Sequence, residues 1–256
     1  MGFLLNKKIL IIGVYNKFSI AYGIAKSMYF HGAKLAFTYE KKKFKKKIKL
    51  ISKKFNSNIY IKCNLLKNND IKNLFLKIKS LWKNFDGIVH SIAFLEKKYF
   101  NKNYVDSITK KSFNKSHEVG SYSFVLLSKY LKPILNKNSS LLTISYLGST
   151  RCILNYNLMG LVKASLESNV RYMACALGPN IRVNAISPGP VKTSSSYVIN
   201  GFQKILDLNK NFSPIKRNIS INEIGNVASF LASNLSSGIT GQIIYVDGGF
   251  NIVGIF

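Results

Sequence analysis

The chain has 256 residues, 47% of them hydrophobic, which is enough to bury the core of one open α/β domain. Its formal charge is +28, yet arginine supplies only four of the 38 basic residues, which argues against a dedicated nucleic-acid surface built on arginine's planar fork. No stretch reaches the roughly 18 uninterrupted apolar residues of a membrane span, and the N-terminal apolar run lacks a small-residue cleavage site, so a soluble, cytoplasmic chain without membrane insertion is expected. The lysine, asparagine and isoleucine bias also follows from A+T-rich coding, with weak polyanion affinity as a side effect. Cys63, Cys152 and Cys175 are odd in number and far apart, two of them in apolar surroundings, and suggest neither a disulfide framework nor a metal site.

In chain order, Lys7 to Val14 is a nearly continuous apolar run of strand length, the mark of a parallel strand buried on both faces. Apolar positions at helical spacing follow Ser19. Leu35 to Tyr39 and Ile59 to Cys63 read as the second and third strands, separated by a lysine-rich helix or loop carrying Phe44, Ile48, Leu50 and Ile51. A helix from about Ile71 to Trp82 leads to a fourth strand, Gly87 to Ile92. Tyr122, Val125, Leu126, Leu127, Tyr130 and Leu131 fit one helix face. Ser140 to Tyr146 is the fifth strand, Tyr156 to Leu177 a long helix, and Ile181 to Ser187 the sixth strand. Val227 to Leu235 reads as helix and Gln242 to Val246 as the last strand.

This alternation predicts a Rossmann-type α/β fold: an open, mostly parallel seven-stranded sheet with helices on both faces, in one domain over 1–256. Right-handed crossovers place the strand C-termini along one edge, where the ligand crevice of such sheets forms.

Along that edge, Gly13 and the helix start at Ser19 and Ile20 can receive a pyrophosphate on backbone amides, although an ordinary βα turn reads the same way. Glu40, ending the second strand, can accept from a ribose 2′-hydroxyl and would repel a 2′-phosphate, which favours NADH over NADPH. Lys41, Lys42 and Lys43 pull the other way, and Glu40 reads equally as a surface residue. Asn64 can hydrogen-bond adenine, and Ser91 to Ala93 can approach the adenosine ribose, or both can be plain loop. Tyr156 and Lys163 are seven apart, about two helical turns, so they can share a helix face as a carbonyl-directed phenol and a ribose-holding ammonium. A packing tyrosine and a solvated lysine are the structural alternatives.

Several segments together carry a resemblance: GV-x4-SIAYGIAK, LAFTY, FDG-x-VHSI, LLT-x-SYLG, NYN-x-MG-x-xKAS-x-E-x-NVRYMA, RVNAIS-x-GP and VDGGF. Over nearly its whole length the chain resembles the bacterial enoyl-acyl-carrier-protein reductases, the divergent branch of the short-chain dehydrogenases. Ordinary members use Tyr-x3-Lys, whereas Tyr156-x6-Lys163, the added Tyr146 and the Gly13-x5-Ser19 turn match the enoyl reductase variant. The resemblance implies NADH-dependent reduction of trans-2-enoyl-acyl-carrier-protein in fatty acid synthesis, by a homotetramer. It assigns Tyr156 to the thioester carbonyl, Lys163 to the nicotinamide ribose and Tyr146 to a second active-site tyrosine. Gly13, Ser19 and Ile20 match the pyrophosphate turn, and Ile92 and Ala93 lie beside the adenosine ribose, with Glu40, Asn64 and Leu65 completing the adenosine end. Val191 and Thr193 match positions near the nicotinamide and pyrophosphate.

The same resemblance makes Thr193 to Leu208 a substrate lid, with Ile199, Phe202 and Ile205 lining the acyl site beside Ala93, Phe94 and Met159. An acidic acyl carrier protein would meet a basic rim there, for which Lys192 and Lys204 are candidates; Asn200 and Gln203 stand where relatives look basic. Two competing readings are a reductase of ketones or alcohols, for which Tyr-x3-Lys is expected, and a basic Rossmann-like protein that binds duplex without catalysis.

Overall fold

The computed structural model describes residues 2–94, 96, 103–153, 155–194, 196, 199 and 201–254. Seven parallel strands, β1 (Lys8–Ile12), β2 (Lys34–Tyr39), β3 (Tyr60–Lys62), β4 (Phe85–His90), β5 (Leu135–Ile144), β6 (Ile181–Pro188) and β7 (Ile243–Val246), pair in the order β3-β2-β1-β4-β5-β6-β7. The continuous apolar runs resolve into two faces because successive side chains alternate. Ile9 and Ile11 of β1 enter one core with Leu142, Ile144 and Ile186, while Leu10 and Ile12 enter the other with Leu141, Val183 and Ala185.

Helices α1 (Ile20–Phe30) and α2 (Lys45–Lys53) cover the first face, joined later in the chain by a helix over Ile221–Ala232. On the opposite face lie α3 (Asn68–Trp82), a helix over Ser123–Leu131 and the long helix Leu158–Leu177. Two short helices, α4 (Tyr104–Ser107) and α5 (Lys110–His117), precede α6 (Ser123–Leu131); α7 is Leu158–Leu177, α8 Phe202–Phe212 and α9 Ile221–Ala232. Helices α1 and α9 approach with almost no spacing: a Cβ on Gly23 would strike the Ile221 backbone, and one on Gly225 the Gly23 carbonyl.

Several boundaries differ from expectation for local reasons. The fifth strand starts at Leu135, five residues early, because Leu135 already pairs with Phe85, after which the register shifts and polar Asn136 to Asn138 pass without ladder partners before pairing resumes at Ser139 and Ser140. Helix α9 runs from Ile221 to Ala232, its start fixed by a capping box in which the Ser220 hydroxyl accepts from Glu223 N and the Glu223 carboxylate accepts from Ser220 N. Helix α7 starts two residues later than Tyr156, since Asn157 holds φ 45°, ψ −127°, outside helical space. Leu50 and Tyr122 face solvent, and of the three cysteines only Cys63 is buried, Cys152 and Cys175 being exposed. Among the described residues, no helix is long and apolar enough to cross a membrane.

Candidate active site

The sheet order reverses direction between β1 and β4, so the segments leaving those strands diverge and open a crevice at their C-terminal ends. Gly13 follows β1 with φ 104°, and any Cβ there would run into the Ser91 carbonyl beyond β4. Glycine is therefore required for both conformation and space. From this point a cavity of about 590 Å³ extends past Ser19 and Ile20 at the start of α1 to Tyr146, Tyr156 and Lys163, and on to Thr193 and Phe202. A volume of this order matches small-molecule and cofactor sites.

Of the residues expected at the site, Gly13, Ser19, Ile20, Ile92, Ala93, Phe94, Tyr146, Tyr156, Met159, Lys163, Val191, Thr193, Ile199 and Phe202 all line this cavity. Glu40, Asn64, Leu65 and Ile205 do not. Glu40 is exposed at the end of β2, 3.8 Å from Lys41 Nζ. The Asn64 side-chain carbonyl accepts from Leu66 N, tightening the turn after β3, and Leu65 is buried in the core. Ile205 lies half-buried on α8. The second half of the expected lid segment forms the start of α8, whose Phe202 and Leu206 are buried; Ser195, Tyr197, Val198 and Asn200 lie outside the described residues.

Tyr156 and Lys163 meet in the cavity by a different route from the one expected. Tyr156 sits in the turn before α7, and its ring is held edge-on against Tyr146, 4.9 Å between centroids. A Cβ on Gly148 would lie 2.6 Å from Tyr156 Cδ1 and 2.8 Å from Cε1, so that glycine forms the seat of the ring. Gly148→Ala is expected to push the phenol aside and lower kcat about tenfold while the protein stays folded, a fraction of the roughly 100-fold that a 1 Å misplacement can cost. Steady-state kinetics beside a thermal melt checks it; unchanged kcat would show that the ring does not need this seat.

Lys163 projects from the second turn of α7 into the buried strand edge, where its ammonium donates to the Ile144 carbonyl at 2.6 Å. Burial pushes its pKa down to about 8, with the nearby Glu167 carboxylate opposing the fall. Burial moves both phenols the other way, Tyr146 to about 12 and Tyr156 further up with Tyr146 adding to the effect. Both tyrosines therefore remain O–H donors across the working pH range.

Some site residues escaped sequence reasoning. Tyr15 and Asn16 line the cavity, and the Asn16 amide donates to Ser194 Oγ at 2.6 Å, bridging the β1 turn to the start of the expected lid. Asn16 also accepts from Phe18 N, an Asx turn that the sequence signalled through its asparagine. His90, at the end of β4, is fully buried between Thr143 and Ser123 hydroxyls, and burial followed by the Lys163 charge drives its pKa down to about 3, keeping it neutral.

A parallel sheet with its crevice at the order reversal, a glycine-floored turn into α1, and a phenol and ammonium at the far end together define a Rossmann-type nucleotide-dependent reductase. The more particular assignment rests on a family model described as "Enoyl-(Acyl carrier protein) reductase", which matches residues 13–251. The chain belongs to the enoyl-acyl-carrier-protein reductase family. It is 55% identical over 256 residues, 100% of this chain and 98% of the relative, to the enoyl-[acyl-carrier-protein] reductase [NADH] FabI of Buchnera aphidicola subsp. Schizaphis graminum. Among solved structures, the Aquifex aeolicus enoyl-[acyl-carrier-protein] reductase (NADH) superposes with TM-score 0.96 at 40% identity, covering 100% of both chains. The Anaplasma phagocytophilum enoyl-(acyl-carrier-protein) reductase in complex with NAD gives TM-score 0.94 at 36% identity, covering 99% of this chain and 95% of that one.

Proposed function

We propose that the protein is an NADH-dependent enoyl-acyl-carrier-protein reductase of fatty acid synthesis, in which Tyr156 and Lys163 act on the two reacting partners within one cavity. The observation that carries this reading is their convergence there, opposite the glycine-floored turn at Gly13. The residues present suit a dinucleotide: the floor that a Cβ would fill stays open at Gly13, the first amides of α1 face anion-favouring space, and Lys163 offers a buried cation. The turn residues Gly13, Ser19 and Ile20 would hold the pyrophosphate. Ile92 and Ala93, with Glu40, Asn64 and Leu65 further along the sheet edge, would flank the adenosine, and Val191 and Thr193 the nicotinamide.

When bound, NADH would supply the hydride that C3 of the enoyl thioester accepts. The electron pair displaced from the double bond would gather on the thioester oxygen as an enolate, and a proton taken up from solvent at C2 would complete the saturated acyl chain. Tyr156, its O–H retained by burial, donates to that oxygen where charge develops, and this differential contact is what lowers the barrier. Lys163 would hold the ribose hydroxyls and set a positive charge beside the same oxygen. Tyr146 braces the Tyr156 ring and borders the substrate. Phe94, Met159, Ile199 and Phe202 supply the apolar wall of the acyl site, with Ile205 reaching it when the 193–208 segment closes as a lid.

The whole chain, 1–256, acts as one catalytic unit, since the sheet draws its strands from Lys8 through Val246. Exposed Leu161 and Tyr172 on α7, and Tyr245 at the β7 edge, support assembly into a homotetramer. A cytoplasmic location fits this soluble substrate chemistry.

The direct test is purified protein with NADH and crotonyl-acyl-carrier protein: loss of NADH absorbance with formation of the butyryl product is expected, and absence of turnover overturns the reading. For the carrier itself, Lys192 and Lys204 stand exposed near the cavity mouth. Lys204→Glu is expected to raise KM several-fold for the carrier-linked substrate and leave KM for crotonyl-CoA nearly unchanged, because a rim charge acts on encounter with an acidic partner. Equal changes for both substrates would remove Lys204 from the docking surface.

A further inference from the structure

Glu167 is a buried carboxylate that the mechanism above leaves without a task, only 6% exposed on the sheet-facing side of α7. An acidic side chain is rarely so buried unless it is paired or hydrogen-bonded. Here one oxygen, Oε1, accepts from two hydroxyls, Ser145 at 2.5 Å and Ser149 at 2.6 Å. These serines flank Tyr146 on the segment leaving β5. One helical turn before Glu167 on the same face is Lys163, whose ammonium donates to the Ile144 carbonyl.

Three bonds thus stitch α7 to the β5 exit at Ile144, Ser145 and Ser149, with Tyr146 held between the two serines. The stitched turn also carries Gly148, which seats Tyr156 on one side and packs its carbonyl against Gly160 on the other. We propose that Glu167 is a positioning residue that locks the Tyr146 turn to the Lys163 helix, so that both tyrosines and the lysine share one rigid frame. The inference rests on the roles given above to Tyr156 and Lys163.

A buried acceptor is well suited to this work. Two charge-assisted hydroxyl bonds on one oxygen fix the turn more tightly than neutral partners would. The carboxylate also lies close enough to Lys163 to favour its charged form. The other titratable groups near that ammonium are neutral His90 on β4, and Tyr146 and Tyr156 across the cavity.

The test is steady-state kinetics of the full chain with NADH and crotonyl-CoA across pH, for wild type, Glu167→Ala, Glu167→Gln and the Ser145→Ala/Ser149→Ala pair. Glu167→Ala and the serine pair are each expected to lower kcat about tenfold per folded site, with KM moving less, and the triple variant to be no worse than either. Glu167→Gln, which keeps an acceptor oxygen, should recover most of kcat yet shift the alkaline limb of activity to lower pH, because Lys163 has lost its stabilising charge. A merely structural carboxylate would lower stability without moving that limb. Unchanged kcat in Glu167→Ala or in the serine pair, additive losses in the triple variant, or an unmoved limb in Glu167→Gln would overturn the proposal, and if Glu167→Ala does not fold, the serine pair and Glu167→Gln decide it. Failure of wild type to consume NADH would instead reject the enoyl reductase reading.

Discussion

Replacing Tyr156 with phenylalanine is expected to lower kcat about 100- to 1,000-fold, the loss typical of one donor aimed at a developing oxyanion. The substitution removes a single oxygen from a ring that keeps its contacts with Tyr146 and its seat on Gly148, so the fold should be undisturbed. Because the contact matters most after charge has moved to the thioester oxygen, the loss belongs in kcat, and KM for the enoyl thioester should change little. Kinetics with crotonyl-CoA and a thermal melt separate the possibilities. A fall in KM-controlled binding with kcat intact would make Tyr156 a substrate-binding residue only.

Lys163→Met is expected to raise the Kd for NADH about tenfold or more, since hydrogen bonds made by a charged group contribute roughly 1.5 to 3 kcal/mol. Methionine fills much of the same buried volume but leaves the Ile144 carbonyl without its donor, so a modest stability loss should accompany the weaker binding. The same residue gives a pH dependence in the unmodified protein. An ammonium is charged below its pKa, and that of Lys163 is depressed to about 8, so affinity for NADH should be full in mildly acidic and neutral solution and fall as pH rises through about 8. The phenols cannot produce this limb, because burial moves both of them upward, Tyr146 to about 12. Fluorescence titration with NADH between neutral and alkaline pH measures it; a flat profile would mean that the lysine charge does not hold the cofactor.

The sheet was legible where a parallel strand is buried on both faces and writes itself as a nearly unbroken apolar run, as Lys8–Ile12 does; Ile181–Pro188 is just as buried but carries Arg182 and Asn184, whose polar groups are hydrogen-bonded. Where the register shifts through polar residues, as at Asn136 to Asn138 between the Leu135 and Ser140 pairings, the apolar run begins late and the strand reads short. The crevice followed from topology alone. Its chemistry needed the joint pattern of Tyr146, Tyr156 and Lys163, which spacing by itself left open between packing and function. Even then the seven-residue interval suggested one helix face, whereas Asn157 breaks the helix and delivers Tyr156 from a turn. An asparagine can adopt such backbone geometry, but nothing in the sequence says that it must.

Glu167, His90 and the Asn16–Ser194 bridge lay beyond sequence reasoning for a common reason: each acts through a partner far away in the chain. Ser145 and Ser149 precede Glu167 by 22 and 18 positions, and Asn16 and Ser194 are 178 apart. Only the fold brings them together. Glu40 and Asn64, expected at the adenosine end from their places after strands, lie on the same sheet edge but outside the cavity, with Glu40 beside Lys41.

The most direct measurement is a crystal structure of the ternary complex with NAD+ and an enoyl thioester. The Tyr156 hydroxyl should lie within hydrogen-bond reach of the thioester oxygen, and Lys163 Nζ within reach of the nicotinamide ribose hydroxyls. A complex in which either terminal atom stands too far for a direct or water-bridged contact would contradict the assignment of these two groups.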